Sequence, residues 1–562
     1  MAMTRTGCKD VWKEYEADQS FKAGLNLFET VKTNENFFIG KQWEGVKSNG
    51  LPTPVFNFLK RVVLFQVASI TTDNIKIQAS ALPGNMSSEV DTRALANVVN
   101  DQFNVLLEYN RIPTRLREYM RNAAVDGDSC LYSYWDEDVE TGQKNRGAIV
   151  TEVVDNTRVH FGNRNSRWVQ KQPYIIISAR EMVDAVRDEA KANGCSDWAS
   201  IGPDSDNSNS ESNKETGDKA TTLLKLWRDK KTGTIWAYKS TRTSDVKKPW
   251  DTGLKRYPIT WLNWDYVPDS CHGMAMITGL IPNQIFVNKL FAMTMLSLMT
   301  SAYPKVVYDK SRIKNWDNRV GAAIPVTGGD MTGVAKIIDP AQVSPQISQF
   351  IELAIDYTQS FLGATSVALG DTRPDNTSAI VALQRSSAVP MEITKQNLYQ
   401  SIEDLANIYV DFMRVYYGKR MVELKQTVVD MTPMGTPVES EENVVAEFDF
   451  DILEKVPMSL KLDIGASAYW SEIASIQTLD NLLMQDKIDL VSYLERIPEG
   501  YISKKQELIE QLKNAQQTAM GQNGAPQAGP SSFPASGNSP EDLTGGGYGT
   551  LQRAINESSC LA

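Results

Sequence analysis

The sequence predicts an α+β protein, in which helices and strands gather in separate runs rather than alternating. Three observations predict it. Long apolar-periodic segments fall at 282–302, 345–362 and 376–417. Short alternating runs collect at 130–178 and again at 421–464. The stretch 471–517 then returns to helical periodicity, before a Gly/Pro/Ser/Gln-rich tail at 517–562 that is too polar to build a core.

Taken in order, residues 9–32 read as one charged amphipathic helix, followed by Asn36–Trp43 and a turn at Gly50–Pro54. Phe58, Val62 and Phe65 recur at helical spacing within 55–67, and residues 73–79 alternate like a half-buried strand. Residues 87–109 read as a helix with Ser87 and Ser88 as caps and Val90, Leu95, Val98, Phe103 and Leu106 on its core face. A helix over Pro113–Val125 stops at Gly127. Strands are expected at 130–136, 148–154, 159–161 and 174–178, a short helix at 179–194, and a hairpin from 221–228 and 234–240 around 230–233. Between them, 203–219 is a polar insert of low complexity.

The central unit runs from Tyr257 to Gly418. Its first helix, Pro282–Ala302, is apolar on most of its circumference, with Gln284, Asn288 and Lys289 as the main polar interruptions. A helix of that kind needs neighbours to bury it. The polar groups disfavour a membrane span, so other subunits are the expected neighbours. The insert 303–343 carries short strands at 305–308, 322–327 and 334–338. The second helix has Ser344 as cap, Pro345 at its first position and Gly363 beyond its end. Ile347, Phe350, Ile351, Ala354 and Phe361 share one face of it. A polar turn, Gly370–Asn376, leads into a third helix that ends at Gly418 and is expected to kink at Pro390, which removes a backbone donor and clashes with the carbonyl of Ser386. Strands at 422–424, 444–450 and 459–464 follow, then helices at 471–485, 489–496 and 501–517.

Composition excludes more than it assigns. A net charge of −11 argues against a protein that grips nucleic acid, since neutralising phosphates needs clustered Lys and Arg. The five cysteines are scattered without a C-x-x-C, and there are only two histidines, His160 and His272. A disulfide framework, a metal centre and His-based triads are therefore not expected, nor is any cofactor. No P-loop, nucleophile elbow or H-E-x-x-H occurs. Asp126 and Asp128 read as turn-formers, and Glu439, Glu441 and Glu442 as solvated charge. Cys271 and His272 are adjacent, so on extended backbone they point apart. The basic run Arg111–Arg121 reads as an exposed helix face. Asp371, Thr372, Arg373, Asp375 and Asn376 support two readings equally: an ordinary turn with N-cap residues, or a mobile loop facing a ligand or channel.

Several stretches together resemble the portal proteins of tailed bacteriophages. They are Phe37–Trp43 with Pro54-Val-Phe-Asn57, Asp126-Gly-Asp128 before a strand, Tyr257-Pro-Ile with Trp264, Pro268-Asp-Ser and Gly273, and Gly279-Leu-Ile-Pro-Asn-Gln-Ile-Phe-Val-Asn288. Gly363-Ala-Thr-Ser, Gly370, Asn376-Thr-Ser-Ala379 and Ile488 with Leu494-Glu-Arg-Ile-Pro498 continue the series. Order and spacing carry the resemblance across most of 30–515.

The resemblance implies a portal-protein fold: an N-terminal helical arm (1–29), a β-rich wing (30–277), stem helices (278–302 and 344–365), a small α/β clip (303–343), a tunnel loop (366–376), a long kinked wing helix with wing strands (377–465), a helical crown (466–516) and a disordered tail (517–562). It implies a non-enzymatic ring of twelve subunits at one capsid vertex in the virion, assembled in the host bacterial cytoplasm. Implied partners are double-stranded DNA in transit, the terminase large subunit, head–tail adaptor or connector proteins, and major capsid and scaffolding proteins, with no membrane. Within that scheme Lys305, Lys310, Arg312, Lys314 and Arg319 would dock the terminase, and Arg373 would touch passing phosphates transiently. An acidic, weakly adhesive channel wall suits a conduit that must release DNA. The alternatives are another oligomeric minor capsid or adaptor protein without a channel, and a hydrolase working through carboxylates.

Overall fold

The structure is a computed structural model. It describes residues 7–48, 50–71, 75–81, 92–204, 218–303, 305–317, 319, 323–330, 332–338, 346–361, 391–431, 437–454, 456, 458–464, and short pieces between 479 and 509. The chain falls into two compact units, Met1–Ser471 and Glu472–Ala562.

The first unit opens with two helices, α1 (Cys8–Gly24) and α2 (Leu27–Ile39), where a single helix is expected from the sequence. The break has a local cause: Asn26 takes a left-handed conformation at φ 55°, which an Asn tolerates better than most residues. Helices α3 (Phe58–Thr71), α4 (Thr92–Tyr109) and α5 (Ile112–Asp126) follow, with strand β1 (Ile75–Ala81) between the first two. Leu95, Val98, Phe103 and Leu106 form the buried face of α4, as their spacing predicts; Ser87, Ser88 and Val90 lie outside the described residues. Gly127, at φ 97°, ends α5 and lets the chain turn directly into β2.

Three strands, β2 (Asp128–Asp136), β3 (Ala148–Asp155) and β9 (Ile259–Asn263), form an antiparallel sheet in the order β3-β2-β9. A second sheet is a five-stranded antiparallel meander, β4 (Val159–Phe161), β5 (Tyr174–Met182), β6 (Lys219–Arg228), β7 (Ile235–Ser240) and β8 (Asp245–Asp251). The expected 179–194 helix is corrected: β5 runs on to Met182, paired with Lys219, and α6 occupies only Val183–Ala192. Val11, Trp12 and Tyr15 of α1 pack with Ile176, Leu223, Trp227 and Tyr238 of the meander.

A buried ionic latch reinforces that contact. The Lys22 ammonium donates to the carbonyls of Asn156, Thr157 and Val159 at 2.6–3.1 Å. Asp18 meets His160 at 2.8 Å and Arg164 at 3.0 Å. Burial pushes Lys22 down to about 8. Burial, helped by the Lys22 charge, pushes His160 down to about 3, so the imidazole is neutral at ordinary pH. For Asp18, burial acts upward but is outweighed by the His160 bond and the neighbouring cations, which hold it below the usual carboxylate range.

Helix α9 (Glu392–Phe412) passes through the main core, with Leu398, Ile402, Leu405, Ala406, Ile408, Tyr409 and Phe412 buried. It ends in a π-turn, Met413–Tyr417, before Gly418. Its polar contacts are satisfied across the fold: Tyr119 to Ser401 at 2.7 Å, Thr151 to Tyr409 at 2.8 Å, and the backbone N–H groups of Lys255 and Arg256 donating to Asp411 at 2.6 and 2.9 Å. Strands β12 (Lys419–Met431) and β13 (Pro437–Asp449) form a two-stranded ribbon longer than the sequence suggests, and β14 (Met458–Ile464) pairs with β1.

Five side-chain amides bond to backbone in the way a neighbouring strand would. Asn100 accepts from Ala79 N–H and donates to Ala79 C=O. Gln143 does the same to Met421, Gln170 to Tyr257, and Gln172 to Asn163. The fifth, Asn110, is buried; it accepts from Thr151 N–H at 2.8 Å and donates to Ile149 C=O at 3.0 Å. Asn110→Ala should cost about 2–3 kcal/mol, because it leaves buried backbone groups unpaired. A denaturation midpoint unchanged from the parent would refute that assignment.

The second unit contains α10 (Leu490–Arg496), which buries Val491 and Leu494. Tyr493 donates to Asp480, and Lys505 donates to the Ile497 carbonyl at 2.6 Å. Most of the helices expected at 471–485 and 501–517 lie outside the described residues.

Candidate stem and clip

Helix α7 (Ile281–Ala302) starts in the body of the first unit and is anchored there by its polar residues. Gln284 donates to the Phe56 carbonyl at 2.6 Å and to Asn288 at 3.0 Å. Asn288 accepts from Phe56 N–H and donates to Gln42 at 2.6 Å. Both side chains are buried, while Lys289 is exposed. The polar interruptions of α7 thus divide: Gln284 and Asn288 fasten the helix base to the 42–57 segment, and Lys289 faces solvent. Phe291 completes the anchor by stacking on Phe56 at 4.4 Å. These partners lie more than 200 residues away in sequence, so helical periodicity gives no sign of them.

A second network fixes the approach to α7. Asp128, fully buried, accepts from Asn263 at 2.7 Å, from the Gly273 N–H at 2.7 Å and from His272 at 2.8 Å. Asp128 is thus a buried hub and not the turn-former expected from sequence. Gly273 is required sterically, since a Cβ there would lie 2.5 Å from the Asp265 carbonyl oxygen. Burial pushes the neighbouring Cys271 thiol up to about 12 and keeps it un-ionised. The pair Cys271–His272 is thus built into a packing network rather than exposed as a nucleophile.

Helix α8 (Gln346–Phe361) packs along α7, where Asn283 donates to Thr358 at 3.1 Å. Ile351 is buried, and Ile347, Ala354 and Ile355 are half-buried against the core. Phe350 departs from the expected shared face: with Leu353 and Tyr357 it forms a separate exposed stripe. Beyond Phe291, α7 is largely uncovered. Met293 is 59% exposed, Leu298 60% and Tyr303 80%, and Met295, Leu296 and Met299 are exposed too. This helix is long and apolar enough to cross a membrane by length and composition.

The insert between α7 and α8 is a small antiparallel unit, β10 (Val306–Tyr308) paired with β11 (Ala335–Ile337). Its described residues contain strands and turns but no helix, which corrects the expected α/β composition for that part, and 323–327 is not a strand. A minimal core of Ile313 and Val334, with Tyr308 stacked on Trp316 at 5.2 Å, holds it together. Lys305, Lys310, Lys314 and Arg319 are exposed. Arg319 pairs with Asp317 at 2.6 Å, and Arg312 bonds the Asp330 carbonyl. The insert thus presents free cations at Lys305, Lys310 and Lys314, with no ion-pair partner among the described residues. Asp371, Thr372, Arg373, Asp375 and Asn376, the caps Ser344, Pro345 and Gly363, and Pro390 all lie outside the described residues.

The described residues thus form a mixed helix-and-sheet body that bears an apolar helix pair on either side of a cationic insert. The family model for the phage P22-like portal protein matches residues 168–531, more than half of the chain, and the chain belongs to that family. Its members are structural proteins of the bacteriophage head–tail connector that serve DNA packaging at the capsid vertex. No curated protein matches the chain.

Proposed function

We propose that the chain assembles into a dodecameric ring at one capsid vertex. Double-stranded DNA passes through this ring during packaging and ejection, and the clip docks terminase first and connector proteins afterwards. The observation that carries this reading is the uncovered outer part of α7. Met293 and Leu298 are five residues apart, so they project about 140° apart on the helix. They mark two different flanks of the uncovered run. One added helix leaves one of these flanks in water, so α7 needs a neighbour on each side. Contacts on two different faces of each copy are heterologous, and heterologous contacts that close make a ring.

Charge supports the same reading. The exposed run of α7 beyond Phe291 carries no charged residue, so it offers DNA nothing to hold. The cations of 303–343 are gathered on the insert, where an acidic partner surface would meet them. Assembly in the host cytoplasm and Asp371–Asn376 as the loop facing DNA belong to the same proposal.

Negative-stain imaging of the purified protein tests it. Rings with a hole wide enough for duplex DNA are expected, and compact monomers at high concentration would sink the proposal. Deleting Asp371–Asn376 should leave rings intact and lower packaging at least tenfold in a complementation assay. Loss of rings in that variant would remove the loop assignment while leaving the ring untouched.

A further inference from the structure

The outer face of β2 and β3 and one face of the five-stranded meander do not close on each other. They leave a cavity of about 600 Å³, with the end of α9 and the π-turn as its third wall. Its volume is in the range of small-molecule sites. Leu226, Ala237 and Leu254 give it an apolar floor. Aromatic rings flank that floor: Tyr132 and Tyr134 stack at 5.6 Å, and Trp135 and Tyr416 stack at 5.2 Å.

The charged groups around this surface are spaced apart. Glu152 accepts a hydrogen bond from Tyr134 at 2.9 Å and has no cationic partner among the described residues. Glu137 likewise has none. In register, Glu152 lies opposite Tyr132, and Glu137 follows the end of β2 at Asp136, which is about 14 Å along the strand from Tyr132. On the facing side, Glu181 of β5 and Glu189 of α6 both clasp Lys239, at 3.1 and 2.7 Å, which leaves one negative charge in excess. Carboxylates this far apart cannot converge on a single ion. They suit a long flexible molecule that carries several positive charges joined by methylenes.

The cavity already holds one group of that chemistry. The Lys247 ammonium rests over the Trp250 ring, 4.4 Å from its centre. Aromatic faces with a nearby carboxylate attract alkylammonium groups through the ring quadrupole. We infer that this cavity binds a linear aliphatic polyamine, with its ammonium groups at Glu137, Glu152 and the Glu181–Glu189 pair and its methylene chain along the apolar floor between the aromatic rings.

Spermidine is the probe, titrated calorimetrically into the full-length protein at fixed ionic strength, with tryptophan emission followed in parallel. Saturable binding of one spermidine per chain is expected, with a change in the emission of Trp135 and Trp250. Glu152→Gln and Glu137→Gln should each weaken binding at least fivefold. Asp184→Asn removes the same charge at a site outside the cavity and should leave binding within twofold. Three results would overturn the inference: no saturable heat, equal weakening by Asp184→Asn, or displacement by magnesium at matched ionic strength, which would mark a diffuse counterion effect.

Discussion

Replacing Leu296 with glutamate is expected to abolish rings and leave a folded monomer. Leu296 is exposed on the outer part of α7 in the single chain, so the substitution costs the isolated subunit little. At a subunit contact the same carboxylate would be desolvated with no cation opposite, since the exposed run of α7 beyond Phe291 carries no charge. An unpaired buried charge costs several kcal/mol, and a closed ring repeats that cost at every interface. Size-exclusion chromatography with light scattering reads the outcome. Leu25→Glu, a matched substitution at an exposed site in the α1–α2 corner, should leave rings intact. Rings that persist in the Leu296 variant would remove α7 from the interface.

The largest loss of stability is expected from Asp128→Ala. One carboxylate accepts from three donors, the buried Asn263 and His272 side chains and the half-buried Gly273 backbone. Truncation takes the acceptor from all three, and each buried donor left unpaired costs about 1–3 kcal/mol. Asp128→Asn keeps one acceptor oxygen and should lose about half as much. Thermal unfolding of both variants checks the order. Because Asp128 also fixes the segment that feeds into α7, the alanine variant should lower ring yield at temperatures where the chain is still folded. Equal stability for parent and alanine variant would show that the donors find other partners.

How far the sequence foretold the molecule depended on the range of the forces involved. Strands β4 and β6–β7 and helices α4, α5, α7 and α8 follow from local periodicity, and they are found within a few residues of where it puts them. Strand β8, Asp245-Val-Lys-Lys-Pro-Trp-Asp251, gave no such signal. It contains Pro249 and two lysines, which are tolerated because it lies at the sheet margin, paired on one side only. The α1–α2 break rests on one left-handed Asn. The Asp128 hub joins residues 135–145 positions apart, and the Gln42–Asn288 bond spans 246; spacing in the sequence cannot report such pairs. Helix α7 was legible because a run apolar on most sides has few physical explanations. The separation of its anchor, Gln284 and Asn288, from its uncovered outer run was not.

The five amides that mimic a neighbouring strand have a consequence for a chain that must self-associate. The backbone groups they hold lie on β1, β3 and β12, just before β9 and just after β4, strands that pair on one side only among the described residues. An open row of backbone N–H and C=O groups is a template on which another chain can extend the sheet, and the result is fibrous aggregation. Each amide blocks a step of that template without adding charge. With those five margins plugged, fewer open strand edges are left to compete with the uncovered helical surface of α7 when copies of the chain meet.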